Sequence, residues 1–213
     1  RGKDVGHSRV GGHLFSKHPP LLRGKQKDSR QAGMTTIGTE FAMNKKIRET
    51  IENIHALFKQ NGFTLSVAES CTGGFISHII TTLPGASNFF EAGVVSYSAD
   101  AKKSLLRVSP DCIAKYGVVS ERTAREMAEK MRRLTKTDFS LSTTGNLGPD
   151  VLEGKERGLI YIAISTEGKT MTKELRLKGT REKNREEAAL LALQFLLEIA
   201  ATPKRHQRPY HLS

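Results

Sequence analysis

The strongest constraint on the fold of this chain is a change of period between residues 63 and 80. Phe63–Ala68 alternates apolar and polar positions as a strand does, and Glu69-Ser70-Cys71-Thr72-Gly73-Gly74 breaks the alternation. Phe75, Ile76, Ile79 and Ile80 then recur at helical spacing. Related signals continue along the chain. Gly93–Ser98 reads as a second strand, followed by a short helix from Ala99 to about Leu106. Ser120 caps a helix to about Lys136 with Ala124, Met127, Ala128 and Met131 on one face, and it leads into a strand at Phe139–Thr143. Gly158–Ser165 is apolar enough to be a central strand, and Gly168 turns the chain into Thr170–Leu177, a hairpin partner. A first helix capped by Asn44 carries Ile47, Ile51, Ile54, Leu57 and Phe58, and Gly62 ends it. A last helix spans about Arg181 to Ala201, with Ala188, Leu191, Ala192, Phe195 and Ile199 as its apolar face. The order α-β-α-β-α-α-β-β-β-α predicts an α/β fold, a three-layer α/β/α single domain with a mixed sheet.

Length and charge place the boundaries. The 213 residues fit one domain with appendages, and a domain of this size buries about 70% of the surface its unfolded chain exposes. Residues 1–42 show no sustained apolar periodicity, carry eight Lys/Arg against three Asp/Glu, and read as a disordered extension or cloning remnant. The body, 43–202, holds 23 basic and 19 acidic side chains, and the tail, 203–213, holds three basic and none acidic. Most of the +12 net charge therefore lies at the ends, which argues against nucleic acid as the partner of the folded body. No run approaches the roughly 18 apolar residues of a membrane span, and the basic N-terminal stretch lacks the apolar core of a secretory signal. Two cysteines, Cys71 and Cys112, suit reduced thiols in the cytoplasm.

Chemistry has three candidate seats. Ser70-Cys71-Thr72-Gly73-Gly74 sits at a strand-to-helix junction, where free backbone N–H groups and the Ser70 and Thr72 hydroxyls suit a phosphate or a developing oxyanion. The alternative there is a tight turn with Ser70 as a helix cap. Ser142-Thr143-Thr144-Gly145-Asn146-Leu147-Gly148-Pro149 is a second strand end rich in hydroxyls and glycine. It would share a crevice with the first if the two strands are parallel neighbours. Ser87, Tyr97 and Lys102 form the third. A lysine serves as base only when neutral, which requires its pKa to fall by about two to three units from ~10.4. Otherwise Ser87 caps a helix at Phe89-Phe90 and Lys102 is a solvated helix residue. Cys71 lacks a well-placed histidine, since His78 follows it in the same short helix, and reads as a buried structural cysteine. No His/Cys/Asp/Glu spacing suggests a metal site, and no cofactor is expected.

Taken together, Ala68–Gly74 (AESCTGG), Leu83–Ser87 (LPGAS), Gly93–Ser98 (GVVSYS), Ala101-Lys102, Tyr116–Ser120 (YGVVS) and Thr144-Gly145 with Gly148-Pro149 resemble the CinA C-terminal domain family over about Lys46 to Ala201. The resemblance implies a small α/β/α domain, usually oligomeric, that hydrolyses the carboxamide of nicotinamide mononucleotide to nicotinic acid mononucleotide and ammonia. It also implies Ser87 as nucleophile, Lys102 as base and Tyr97 assisting them. By the same resemblance Ser70, Thr72, Gly73, Thr144 and Gly145 line the site, and Arg181 and Arg185 meet a phosphate. Where such proteins commonly read Gly-Ile-Ala-Gly-Pro and further glycines, this chain has Gly145-Asn146-Leu147-Gly148-Pro149 and then Asp150–Gly154. That departure keeps open a second reading, a nucleotide-binding module without catalysis.

Overall fold

In the computed structural model, which describes residues 45–202, β1 (Leu65–Glu69) lies between β2 (Phe90–Val95) and β3 (Phe139–Gly145) and is parallel to both. The sheet continues antiparallel through β4 (Leu159–Thr166) and β5 (Lys169–Arg176), giving the order β2-β1-β3-β4-β5. The six helices are α1 (Lys45–Asn61), α2 (Phe75–Thr82), α3 (Ala99–Leu106), α4 (Pro110–Tyr116), α5 (Glu121–Thr135) and α6 (Arg181–Ala201). Helices α1, α2 and α6 pack together on one face of the sheet, and α3, α4 and α5 on the other. The expected mixed-sheet, three-layer α/β domain is what the chain forms. The Asn44 cap and the two terminal segments lie outside the described residues.

Strand alternation divides the core. Leu65 and Val67 of β1 and Ile160, Ile162 and Ile164 of β4 join Ile47, Ile51, Ile54, Phe58 and the buried side of α6. Across the sheet, Ala68 meets Met127 and Met131, and Ala163 meets Ala124 and Ala128, the face of α5 expected from its spacing. The Ser120 hydroxyl caps α5 by accepting from Thr123 N–H. Among the described residues no helix is long and apolar enough to cross a membrane.

Three expectations are corrected. The helix α4 was not foreseen; Ser109 caps it and Pro110 starts it, but its seven residues bury only Cys112, too little for an apolar period to show. β2 starts and ends three residues earlier than expected. Leu65 N–H donates to Phe89 O at the start of the pairing, while Ser96–Ser98 leave the strand to reach α3, whose N-cap is Ser98. The buried stripe of α6 is Asn184, Ala188, Ala189, Ala192, Leu193, Leu196 and Ala200. Leu191, Phe195 and Ile199 only flank it, because the small alanines let the helix backbone approach the sheet and leave the larger side chains at the rim.

Two of these arrangements position the site. The chain leaves β1 to build β2 on one side and crosses back to build β3 on the other, so the carboxyl ends of β1 and β3 meet at a switch in strand order. The segment between β3 and β4 closes over that end and is tied down at Gly158, whose carbonyl accepts Leu177 N–H. Gly158 has φ +81°, and a Cβ there would overlap the Leu177 carbonyl. Gly158→Ala is therefore expected to cost at least about 2 kcal/mol of stability, measured as a lower midpoint in urea unfolding.

Candidate active site

The turn after β1 is organised by an acid. The wholly buried Glu69 carboxylate accepts the N–H groups of Gly74, Ile76 and Ser77 at 2.9, 3.1 and 2.9 Å, and the Ser77 hydroxyl at 2.7 Å. The N-terminus of α2 has Gly74 as N-cap with no capping side chain at that position, and Glu69 supplies the missing acceptor from the preceding strand. The expectation of open N–H groups awaiting a phosphate is corrected accordingly: an internal anion already takes those donors. Nor does Ser70 cap the helix. Thr72 turns inward, its hydroxyl 2.8 Å from that of Thr143, and Gly73 closes the turn by donating its N–H to Ser70 O.

Ser70 instead meets Lys102. Lys102 lies on α3 and is 1% exposed, so it is not the solvated helix residue that was one reading of its position. Its Nζ donates to Ser70 Oγ and Ser96 O, both at 2.8 Å, and to Tyr97 O at 3.4 Å. Burial draws its pKa from 10.5 down to about 8, against smaller opposing effects of Cys71 and Glu153. Roughly a fifth of the population is then neutral near pH 7.4, against about 0.1% for an ordinary lysine. A neutral amine has two N–H groups and one lone pair. The two carbonyls can take the former, which leaves the lone pair facing the Ser70 hydroxyl. Cys71 is excluded as a thiolate because burial pushes its pKa up to about 12.

Tyr97 and Arg181 form the rim. Tyr97 is 61% exposed, and its Oη accepts from Arg181 Nη2 at 2.9 Å while Arg181 Nη1 donates to Gly148 O at 2.7 Å. Arg185, one turn further along α6, lies over the Phe75 ring at 5.3 Å. Thr144 donates its hydroxyl to Val118 O at 2.7 Å and is buried, so it braces the neighbouring turn. Gly145 allows β3 to approach β4, since a Cβ there would press on Leu159 O and Ile160.

Ser87 is not brought to Lys102 within the chain. It is exposed in a short 3-10 turn, Ala86–Asn88, at the amino end of β2, and Phe90 continues as strand where a capped helix was the alternative. Lys102 sits beyond the carboxyl ends of the strands, about 15 Å away at ~3.3 Å per residue. Residues that the sequence reading passed over are Glu69, Ser96 and Asn146. Glu69 had one signal, an acid directly before a turn whose helix lacks its own capping side chain. Among the described residues no group of His, Cys, Asp or Glu is arranged to hold a metal.

A buried lysine on a serine at a switch in strand order defines a class of α/β proteins with a lysine-centred polar site, and comparison with known proteins narrows it. The model of the CinA C-terminal domain family matches residues 47–200, and the chain belongs to that family. It is similar to a CinA-like protein of Syntrophotalea carbinolica, 41% identical over 145 residues, which make up 68% of this chain and 35% of that protein. A CinA-like protein of Kosmotoga olearia is 41% identical over 150 residues, 70% of this chain and 36% of its own length. The chain spans about two fifths or less of the length of these curated relatives. Solved structures are similar throughout the domain. The competence damage-inducible protein A of Klebsiella pneumoniae superposes with a TM-score of 0.73 at 29% identity, over 76% of this chain and all of that one. The competence/damage inducible protein CihA of Agrobacterium tumefaciens gives 0.71 at 31% identity, over 74% of this chain and 97% of that one.

Burying Lys102 lowers its pKa at a cost in stability. Between about pH 8 and 10.5 the unfolded chain holds this proton and the folded chain does not, so stability from this group rises with pH across that window and is lowest below it. Lys102→Met is expected to raise Tm at pH 7, with the gain over the wild type shrinking toward pH 10.5, as measured by calorimetry at several pH values.

Proposed function

We propose that this domain hydrolyses the carboxamide of nicotinamide mononucleotide to nicotinic acid mononucleotide and ammonia in the cytoplasm, with Ser70 as nucleophile and Lys102 as its base. The observation that carries the reading is the 2.8 Å contact between Lys102 Nζ and Ser70 Oγ in a buried setting. Neutral Lys102 takes the Ser70 proton as Oγ bonds to the carboxamide carbon, and the carbonyl electron pair moves to oxygen. That pair returns as the C–N bond breaks, and Lys102 passes its proton to the leaving nitrogen, releasing ammonia. A water, deprotonated by Lys102, then attacks the Ser70 ester, and the proton returns to Ser70 as the acid leaves. Arg181 and Arg185, at the N-terminal end of α6, suit the nucleotide phosphate. The exposed Tyr97 ring, steadied by Arg181, suits the face of the substrate.

The family resemblance favours a different nucleophile. Ser87 is exposed at the far end of the strands and would reach a Lys102 only from a second copy of the chain, in keeping with the homo-oligomer that the resemblance implies. Ammonia release from nicotinamide mononucleotide separates the two assignments. Ser70→Ala is expected to lose at least about a thousandfold in kcat, with Ser87→Ala within a few-fold of the wild type. The reverse pattern would transfer the nucleophile to Ser87. Binding of the nucleotide without ammonia release by the wild-type chain would favour the non-catalytic module. Because the base acts only when neutral, kcat/KM is expected to rise with pH, reach half its plateau near 8, and stay level above that.

A further inference from the structure

Residues 146–158 run from the carboxyl end of β3 to the start of β4, and their contacts lie on both sides of the sheet. On the α6 side, Arg181 donates to Gly148 O at 2.7 Å, and the buried Asn184 amide donates to Leu147 O at 3.0 Å. The other end lies against the junction of α4 and α5. There the Glu153 carboxylate accepts Val118 N–H at 2.6 Å, Val119 N–H at 3.3 Å and Lys155 Nζ at 2.8 Å. Lys155 also donates to Tyr116 O at 2.8 Å and Val119 O at 2.7 Å. Between these anchors Asn146 holds the loop to itself. Its amide donates to Leu152 O and Lys155 O, both at 3.2 Å, and its oxygen accepts Leu152 N–H at 3.1 Å.

The segment is therefore a strap that joins the two helical layers across the end of the sheet where Ser70, Lys102 and Tyr97 lie. Glu153 is its most committed residue. It is held at φ +59°, a conformation that a glutamate rarely adopts, and its carboxylate fills the space that a Cβ on Gly117 would need. The turn it grips is the one that Thr144 braces through Val118 O. This is also the stretch, Gly145–Gly154, where the sequence departs from the glycine-rich pattern of the proteins it resembles.

We infer that Glu153 is a positioning residue: its carboxylate latches the 146–158 strap onto the 117–119 turn and so fixes the wall of the nucleotide site. The inference builds on the proposed nucleotide substrate. A freed strap would lose the wall against which the nucleotide is held. Because the Glu153 charge also holds the Lys102 pKa up slightly, binding rather than turnover is the quantity that reads the wall.

The test compares Glu153→Ala and Glu153→Gln in the full chain carrying Ser70→Ala, so that bound nucleotide is not turned over. Hydrogen exchange reads the latch, and calorimetric titration with nicotinamide mononucleotide reads the wall. Glu153→Ala is expected to exchange faster at 117–119 and 147–155, with exchange in β1 and β3 unchanged, and to bind the nucleotide about tenfold or more weakly. Glu153→Gln, which keeps the size and one acceptor, should fall between. Unchanged exchange in those two segments would overturn the latch, and unchanged affinity with faster exchange would overturn its role in the site. A parent chain that binds none of the nucleotide would overturn that substrate instead, and the exchange comparison would still decide the latch.

Discussion

One buried carboxylate holds much of the site together. Glu69 ends the central strand and accepts four hydrogen bonds from the start of α2. A charge out of water is tolerable only when its lone pairs are satisfied and a favourable field surrounds it. The N-terminus of α2 supplies both, through its N–H groups and its dipole. The turn from Ser70 to Gly74 is fixed as a consequence, since both of its ends are fixed: Ser70 N–H donates to Thr143 O in the neighbouring strand, and Gly74 N–H donates to the carboxylate. The backbone of the same residue also serves the site, because Glu69 O accepts Ser96 N–H at 2.8 Å. Ser96 O in turn receives Lys102. Both groups that Lys102 touches at 2.8 Å are thus set by one residue, its side chain acting through the turn and its carbonyl through the next strand.

Lys102 and Glu69 solve opposite problems. Glu69 is buried with four donors aimed at its carboxylate. Lys102 is buried with one hydroxyl and two carbonyls, enough acceptors to place the amine, and among the described residues no carboxylate forms an ion pair with it. Folding energy spent on burying this cation is what brings its pKa down to about 8. The strap completes the enclosure. It joins the layer of α6 to the layer of α4 and α5, so the end of the sheet is bounded by side chains from both faces.

Much of the fold was legible because its signals are local and repeated. The α5 face of Ala124, Met127, Ala128 and Met131 and the Ser120 cap are as the spacing implied, and the β4–β5 hairpin follows from alternation around Gly168. The exceptions have physical causes. α4 is too short for a period, and α6 carries apolar residues on nearly every side of its second half, so size alone could not say that the alanines face inward. The site was only partly legible. Lys102, Tyr97 and Arg181 were singled out, and contacts now link them: Lys102 to the Tyr97 carbonyl and Arg181 to the Tyr97 hydroxyl. Ser70 was singled out as well, as a hydroxyl lining the site, but its pairing with Lys102 was not, because that depends on strand order. Ser87 stands nearer to Lys102 in sequence, and only the parallel register of β1 and β2 shows that it lies at the opposite end. Glu69, Asn146 and Glu153 act by accepting backbone N–H groups or bridging loop carbonyls, interactions that leave no periodic trace.

The two cysteines have a practical consequence. Both are buried, and burial raises the pKa of each thiol, Cys71 to about 12. Thiolate is the reactive species in alkylation and disulfide exchange, so the native protein is close to silent toward such reagents at neutral pH. A single cysteine introduced on the solvent side of the strap, at Val151 for instance, would then be the one site to take a fluorophore or spin label, without first removing the natural thiols. Cys71, which lies against the Thr143 hydroxyl beneath the proposed nucleophile, could be left untouched while the loop above it is observed in solution.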